Sequence, residues 1–259
     1  MTHRFFLGGR DLEMAEIRRL LERHAPGRFE DKGLAWGAAL SAYHRELLDA
    51  LRRGETPVLI ELADDLPPDA FDRGRAVVVD HHGPLAGRDR PTAIEQVFAL
   101  LRLPAAAWTR HLALVAANDR GHVAALRELG ATPEEIAAIR AADRAAQGVT
   151  PADEAEAERA IAARRCEGRL TIVETATDRS SPVTDRLLRE LGGPGYDRLL
   201  VIGPAEVNVF ADGPAIEDLR QAHPRSWSGG DLPAAGFWGM TTGGGRRDAI
   251  IADLVARLR

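Results

Sequence analysis

A single cysteine, Cys166, stands in 259 residues, so no disulfide can close within the chain and an oxidising compartment is not implied. No run approaches the roughly 18 apolar residues of a membrane span, and the amino terminus lacks the charged-then-apolar order of a signal peptide. A cytoplasmic protein that engages no membrane is therefore expected. Net positive charge is missing too. At a formal charge of −5 the chain is a poor general binder of long nucleic acid, although a local basic groove could hold a short phosphorylated ligand. No GxGxxG follows a strand, no GxxxxGK[ST] occurs, no GxSxG supplies a nucleophile elbow, and nothing around Cys166 resembles a catalytic thiol. Internal repeats are absent.

What is present centres on Val77-Val78-Val79-Asp80-His81-His82-Gly83. Valines at this density predict a buried strand of a parallel sheet covered on both faces. Asp80, His81 and His82 then fall at the carboxyl edge of that sheet, where open α/β sheets bind ligands.

The length allows one large domain or two ordinary ones. Phe5-Phe6-Leu7, Gly8-Gly9 and the segment from Met14 to Leu21 read as strand, turn and helix. Asp11 and Glu13 lie at that junction, where an N-cap and a first-turn acid are the ordinary explanation. Trp36 to Leu51 has helical periodicity, and Val58 to Leu62 is a second buried strand carrying Glu61 near its end. Burying that carboxylate is costly unless a cation or donor compensates, so structural and functional readings of Glu61 stand level. A helix follows from Thr92 to Leu101. Leu112 to Ala117 is a helix or a strand, and it ends in Asn118-Asp119-Arg120-Gly121-His122. The pattern changes near residue 166. Strands at 170–173 and 199–202, a hairpin partner at 206–210 and the glycine-rich stretch Ser228 to Phe237 suggest a mixed α/β second domain. The predicted division is residues 1–146, a linker helix over 147–165, and a smaller domain over 166–259.

Asp11, Glu13, Glu61, Asp80, His81, His82 and Asp119 all lie where an apolar run gives way to a loop. In a parallel sheet those ends converge. Several carboxylates around imidazole suit an oxygen- and nitrogen-loving divalent cation such as Mn²⁺, with Mg²⁺ as the alternative. One or two such ions can polarise a phosphoryl oxygen and activate water.

The run Val77 to His82, followed by Pro91-Thr92-Ala93-Ile94-Glu95-Gln96-Val97, resembles the signature of the DHH phosphoesterase superfamily. That superfamily includes RecJ-type exonucleases, small-oligonucleotide and cyclic-dinucleotide phosphodiesterases, and manganese pyrophosphatases. Ser228 to Phe237 is similar to the glycine-rich element of the superfamily's accessory DHHA1 domain. The resemblance implies a parallel-sheet DHH domain and a smaller mixed α/β substrate-binding domain. It implies Asp11, Glu13, Glu61, His81 and Asp119 as metal ligands. Asp80 is then either a partner of the His81 imidazole or a ligand itself, and His82 faces the substrate phosphate. Ser228, Gly229, Gly230 and Asp231 carry over to substrate binding.

This chain departs from the pattern at informative places. Leu7 stands where the first motif has a histidine, and Glu13 and Glu61 replace aspartates. Asp231 replaces the accessory-domain histidine, and Phe210-Ala211-Asp212-Gly213 replaces the phosphate-gripping Ser-x-Arg-Ser. Arg225, and Arg246 or Arg247, are candidates for the missing arginine. The implied activity is metal-dependent hydrolysis of a phosphoester or phosphoanhydride in a small phosphorylated molecule, a nucleotide or short oligonucleotide among them. The alternatives are a catalytically altered or inactive binding or regulatory module on the same fold, and an acid-rich site adapted to a cationic or neutral substrate. Of the other histidines, His3, His24, His44, His111 and His223 read as solvated or capping, and His122 as a helix-surface residue or a late ligand. Trp227, Phe237 and Trp238 either stack a ring or pack an interface.

Overall fold

The computed structural model describes residues 2–81, 90–230, 234–243 and 245–259, so His82 and Asp231 lie outside the described residues. The chain divides into two compact units, Met1–Gln147 and Gly148–Arg259. No helix among the described residues is long and apolar enough to cross a membrane.

The first unit is built on a parallel sheet of β1 (His3–Phe6), β2 (Phe29–Glu30), β3 (Thr56–Ile60) and β4 (Val77–Val79), in the order β2-β1-β3-β4. Phe6, Leu59 and Val78 share one row across the sheet, and Phe5, Val58 and Val77 the next. Side chains alternate between faces along a strand. Phe6 and Leu59 pack with Tyr43, Leu47 and Leu51 from the region of α2 (His44–Arg52). Phe5, Val58 and Ile60, which alternation points to the other face, are also fully buried. β4 departs from the expected burial on both sides. It is an edge strand, and Val78, in the row of Phe6 and Leu59, is 62% exposed, whereas Val79 is buried.

Helix α1 (Leu12–His24) buries Met14, Ile17, Leu20 and Leu21, a spacing of three to four residues that makes one apolar face. It packs against α3 (Ala93–Leu100), α4 (Arg110–Glu128) and α5 (Pro133–Ala146). The ambiguous segment Leu112 to Ala117 is helical, within α4. The helix predicted from Trp36 starts later, at His44 after a 3-10 turn over Leu40–Tyr43. Gly37 has φ 77°, and Ala39 is extended and bridged to Ala63, which together keep the chain out of a helix there.

The second unit has a six-stranded mixed sheet in the order β5-β6-β7-β8-β10-β9: β5 (Arg165–Glu167), β6 (Leu170–Glu174), β7 (Arg198–Ile202), β8 (Glu206–Asp212), β9 (Trp227–Gly229) and β10 (Ala235–Thr241). Only β6 and β7 run parallel, and β7 and β8 pair as the expected hairpin. α8 (Gly213–Ala222) and α9 (Arg247–Leu258) supply Ile216, Leu219, Leu254 and Leu258 to a core with Ile172, Leu200 and Trp238. The segment 147–165, expected as a linker, contains α6 (Pro151–Ala162). Its Ala157 and Ala160 are buried with Val183 and Leu187 of α7 (Ser181–Leu187) and with Val173, Leu199 and Val201, so α6 is part of this unit's body.

Candidate metal centre

The register of the sheet brings the ends of β1, β3 and β4 to one edge. Gly8 follows β1, and a side chain there would meet the Glu61 carbonyl oxygen at 2.5 Å and that of Ile60 at 2.7 Å. Glycine is therefore what lets the first strand close on the third at the level of the acid. Glu61 N–H donates to the Val79 carbonyl (2.9 Å), continuing the pairing of β3 with β4 one residue beyond the strands. Glu61 itself has φ 50°, a left-handed conformation uncommon for a residue with a side chain.

Asp11 caps α1, its Oδ1 accepting from Met14 N–H at 2.7 Å. Glu13, in the first turn, is 2% exposed, and its Oε1 accepts from Ile94 N–H at 2.9 Å. That donor belongs to the first turn of α3, where the unmatched N–H groups of a helix favour an anion. Glu95 fixes the same helix start by accepting from Thr92 N–H (2.7 Å), and its carboxylate also receives Arg120 Nη2 at 2.5 Å. Asp119 precedes that arginine on α4, and the helix breaks directly after it, at Gly121 and His122.

Ligand atoms of Glu13, Glu61, His81 and Asp119 all lie within 4.8 Å of one another. His81 Nε2 contacts the Asp119 carboxylate and stands 3.5 Å from Glu61 Oε1 and 3.8 Å from Glu13 Oε2. Glu13 and His81 are buried, Glu61 and Asp119 half-buried. Burial, reinforced by the Asp119 and Glu61 charges, holds the Glu13 carboxyl well above the ordinary carboxylate range, against the lowering by Ile94 N–H. The three carboxylates gathered in so small a space repel one another, and a cation among them would offset that repulsion. The oxygen-rich donor set with one nitrogen fits Mn²⁺ or Mg²⁺ and does not resemble a thiolate zinc site.

Asp11 and Asp80 are not in that group of four. The Asp80 carbonyl accepts from Gln96 Nε2 at 3.1 Å. His122 is exposed, at the break in α4, with φ 51°. His111 pairs with Glu16 and His223 with Asp253, each at 2.9 Å.

In the second unit Arg225 and Arg246 are exposed, and Arg247 donates to the Pro204 carbonyl at 2.6 Å. Ser228 and Gly229 end β9, paired with Trp238 and Phe237 of β10. A side chain at Gly229 would strike the Phe237 ring at 2.8 Å, so part of the glycine-rich element serves strand packing. Trp238 is fully buried in the core, whereas Trp227 and Phe237 are half-buried. Asp212, in the segment that replaces the phosphate-gripping Ser-x-Arg-Ser, is engaged structurally: it caps α8 through Ala215 N–H (3.1 Å) and receives Arg198 Nε at 3.1 Å.

Sequence reasoning missed a buried polar cluster next to this centre, made of Asn118, Arg140 and Asp143, all under 5% exposed. Arg140 and Asp143 are three residues apart on α5, a spacing shared by the ordinary solvated ion pairs of a helix surface. No signal in the chain separates them from such pairs.

The gathering of these donors at the carboxyl edge of a parallel sheet is the arrangement that the resemblance to the DHH superfamily implies. No family model matches the sequence, and no curated protein matches it. Similar solved structures include a manganese-bound RecJ exonuclease, with 16% identity, TM-score 0.45, and 99% of this chain aligned to 89% of that one. A RecJ from Thermus thermophilus in complex with Mn²⁺ aligns at 15% identity and TM-score 0.47, over 99% of this chain and 51% of its own. This chain thus spans about half the length of the Thermus protein. A pGpG-specific phosphodiesterase, PggH, from Vibrio cholerae aligns at 10% identity and TM-score 0.38, over 100% and 99% of the two chains. These are proteins of the kinds named in the sequence resemblance. At such scores they carry none of the chemical argument, which rests on the side chains above.

Proposed function

We propose that this protein is a metal-dependent phosphoesterase that hydrolyses a phosphoester or phosphoanhydride bond in a small phosphorylated molecule, a nucleotide or short oligonucleotide among them. The observation that supports it is the convergence of Glu13, Glu61, His81 and Asp119. These four would hold the ion, with Mn²⁺ or Mg²⁺ the best fit to their donors. A divalent cation bound there supplies Lewis-acid polarisation of a phosphoryl oxygen and lowers the pKa of water. The chain's own contribution is to keep the donors in place and dry: Ile94 N–H orients Glu13, and the strand pairing at Val79 orients Glu61. Of the two residues that flank His81 in sequence, His82 is the proposed catalytic group at the reacting phosphate, and Asp80 is proposed to support catalysis as a partner of the His81 imidazole or as a further ligand. Asp11 is proposed as a further ligand, from the resemblance. Ser228, Gly229, Gly230 and Asp231 are proposed for substrate binding on the same ground, and Arg225 as a replacement for the missing phosphate-gripping arginine.

Phosphate or nucleotide release from a broad phosphoester panel with Mn²⁺ tests this reading. His81→Ala is expected to lower the rate at least about a hundredfold, because it removes the imidazole at the middle of the four donors. A protein that binds Mn²⁺ firmly yet cleaves no member of the panel would refute it.

Leu7 favours a second reading, a binding or regulatory module with altered chemistry. It is fully buried in the core at the position of the family histidine and offers no donor. Elemental analysis separates the two readings: close to one ion or more per chain supports the enzyme, and none supports the module.

A further inference from the structure

We propose that Asn118, Arg140 and Asp143 form a positioning device that sets the spacing between the metal-binding carboxylates Glu13 and Asp119. This inference rests on the metal site described above and deepens it.

Each member is nearly inaccessible, with Arg140 1% exposed and Asp143 and Asn118 each 4%. Burying an ion pair is costly, and a pair on the helix surface would serve α5 equally well. What the buried placement adds is a connection. Asp143 Oδ1 accepts from Leu12 N–H at 3.2 Å. Together with Asp11, which takes Met14 N–H, it therefore holds both sides of Glu13 along the backbone of the first turn of α1. The other Asp143 oxygen receives Arg140 Nη1 at 2.8 Å and Gln147 Nε2 at 3.2 Å. The same Arg140 Nη1 donates to Asn118 Oδ1 at 2.9 Å. Asn118 is the neighbour of Asp119, and α4 loses helical geometry at Gly121 and His122.

The helix alone therefore does not restrain the chain on the far side of Asp119, while Asn118 is tied by its side chain. One guanidinium links the residue before Asp119 to the carboxylate that holds the residue before Glu13. Three helices, α1, α4 and α5, meet in this cluster, and two of them carry a proposed ligand at the point of contact. Charge is balanced within the Arg140–Asp143 pair, so the cluster supplies geometry and adds no net charge to the acidic centre.

The test is Mn²⁺ affinity by calorimetry on the full chain, read without substrate. In the double variant Arg140→Met, Asp143→Leu an apolar pair of similar bulk replaces the ions, a change that commonly leaves a fold stable. It is expected to weaken Mn²⁺ binding about 10–100-fold, as loss of groups that orient metal ligands does. Asp143→Asn keeps an acceptor for Leu12 N–H and is expected to recover affinity to within about tenfold of the original chain. Leu47→Ala, on the buried face of α2 and outside the Asn118–Arg140–Asp143 cluster, is expected to lower thermal stability and leave the affinity unchanged.

A folded double variant that binds Mn²⁺ as the original does would overturn the proposal. So would an equal loss in Leu47→Ala, which would mark a general effect of stability. If the double variant does not fold, Asn118→Ala releases the α4 arm alone and carries the expectation of about a tenfold loss, with no loss again overturning the idea. Hydrolysis present with affinity unchanged in Asp143→Asn and the double variant removes the positioning role only. Affinity lost in the double variant while no phosphoester is cleaved removes the enzymatic reading only.

Discussion

Glu61 shows what a single backbone angle contributes to this centre. A left-handed residue with a side chain costs about 1–2 kcal/mol, and Glu61 adopts that conformation at φ 50° while its N–H stays paired to Val79. Strain of this kind persists where surrounding structure imposes it and clusters at functional sites. Glu61→Gly is therefore expected to raise stability by up to about 1 kcal/mol in urea unfolding, and to lose Mn²⁺ binding in the same protein. A decrease in stability would show that the conformation is not strained. The acid itself was legible in the sequence, because a carboxylate near the end of an apolar run contradicts its surroundings. Asp143 was not legible: an acid three residues after an arginine on a helix looks solvated until the fold places both against α1.

Among the elements, periodicity located most strands and helices and failed where local chemistry was overruled. The helix expected from Trp36 is shortened by the left-handed Gly37 and the bridge from Ala39 to Ala63. The valines of β4 suggested a strand covered on both faces, but the order of strands makes it an edge, which composition does not encode. The sequence reads as a linker helix over 147–165, and the two buried alanines of α6 make it a wall of the second core.

Asp212 illustrates a role that a motif alignment misjudges. Desolvation pushes its pKa up, but Ala215 N–H and Arg198 outweigh that and leave it below the ordinary aspartate value. A depressed folded-state value means the unfolded chain binds the proton more readily, so the stabilisation is full above the unfolded value near 3.8 and is lost as pH falls through the lower folded value. Asp212→Asn, which retains an acceptor for the cap, is expected to flatten the fall in unfolding temperature below about pH 4. Asp212→Ala is expected to cost about 1 kcal/mol near neutrality. Identical acid profiles for Asp212→Asn and the original chain would remove the ionic contribution.

At the scale of the molecule, all four converging donors belong to the unit Met1–Gln147. They come from two strand-to-loop junctions and two helices, and even a supporting bond such as Ile94 to Glu13 spans 81 residues of chain. No short segment contains enough of the set to hold an ion. Contacts so distant in sequence form late, because the entropy of closing the intervening chain is lost before they return anything. The metal can then serve as a clock. In stopped-flow refolding with Mn²⁺ present, the helical signal is expected to rise before ion uptake, and a chelating dye should see manganese leave solution only in the final phase. Simultaneous uptake and helix formation would instead mean that the four donors gather in an early collapsed state.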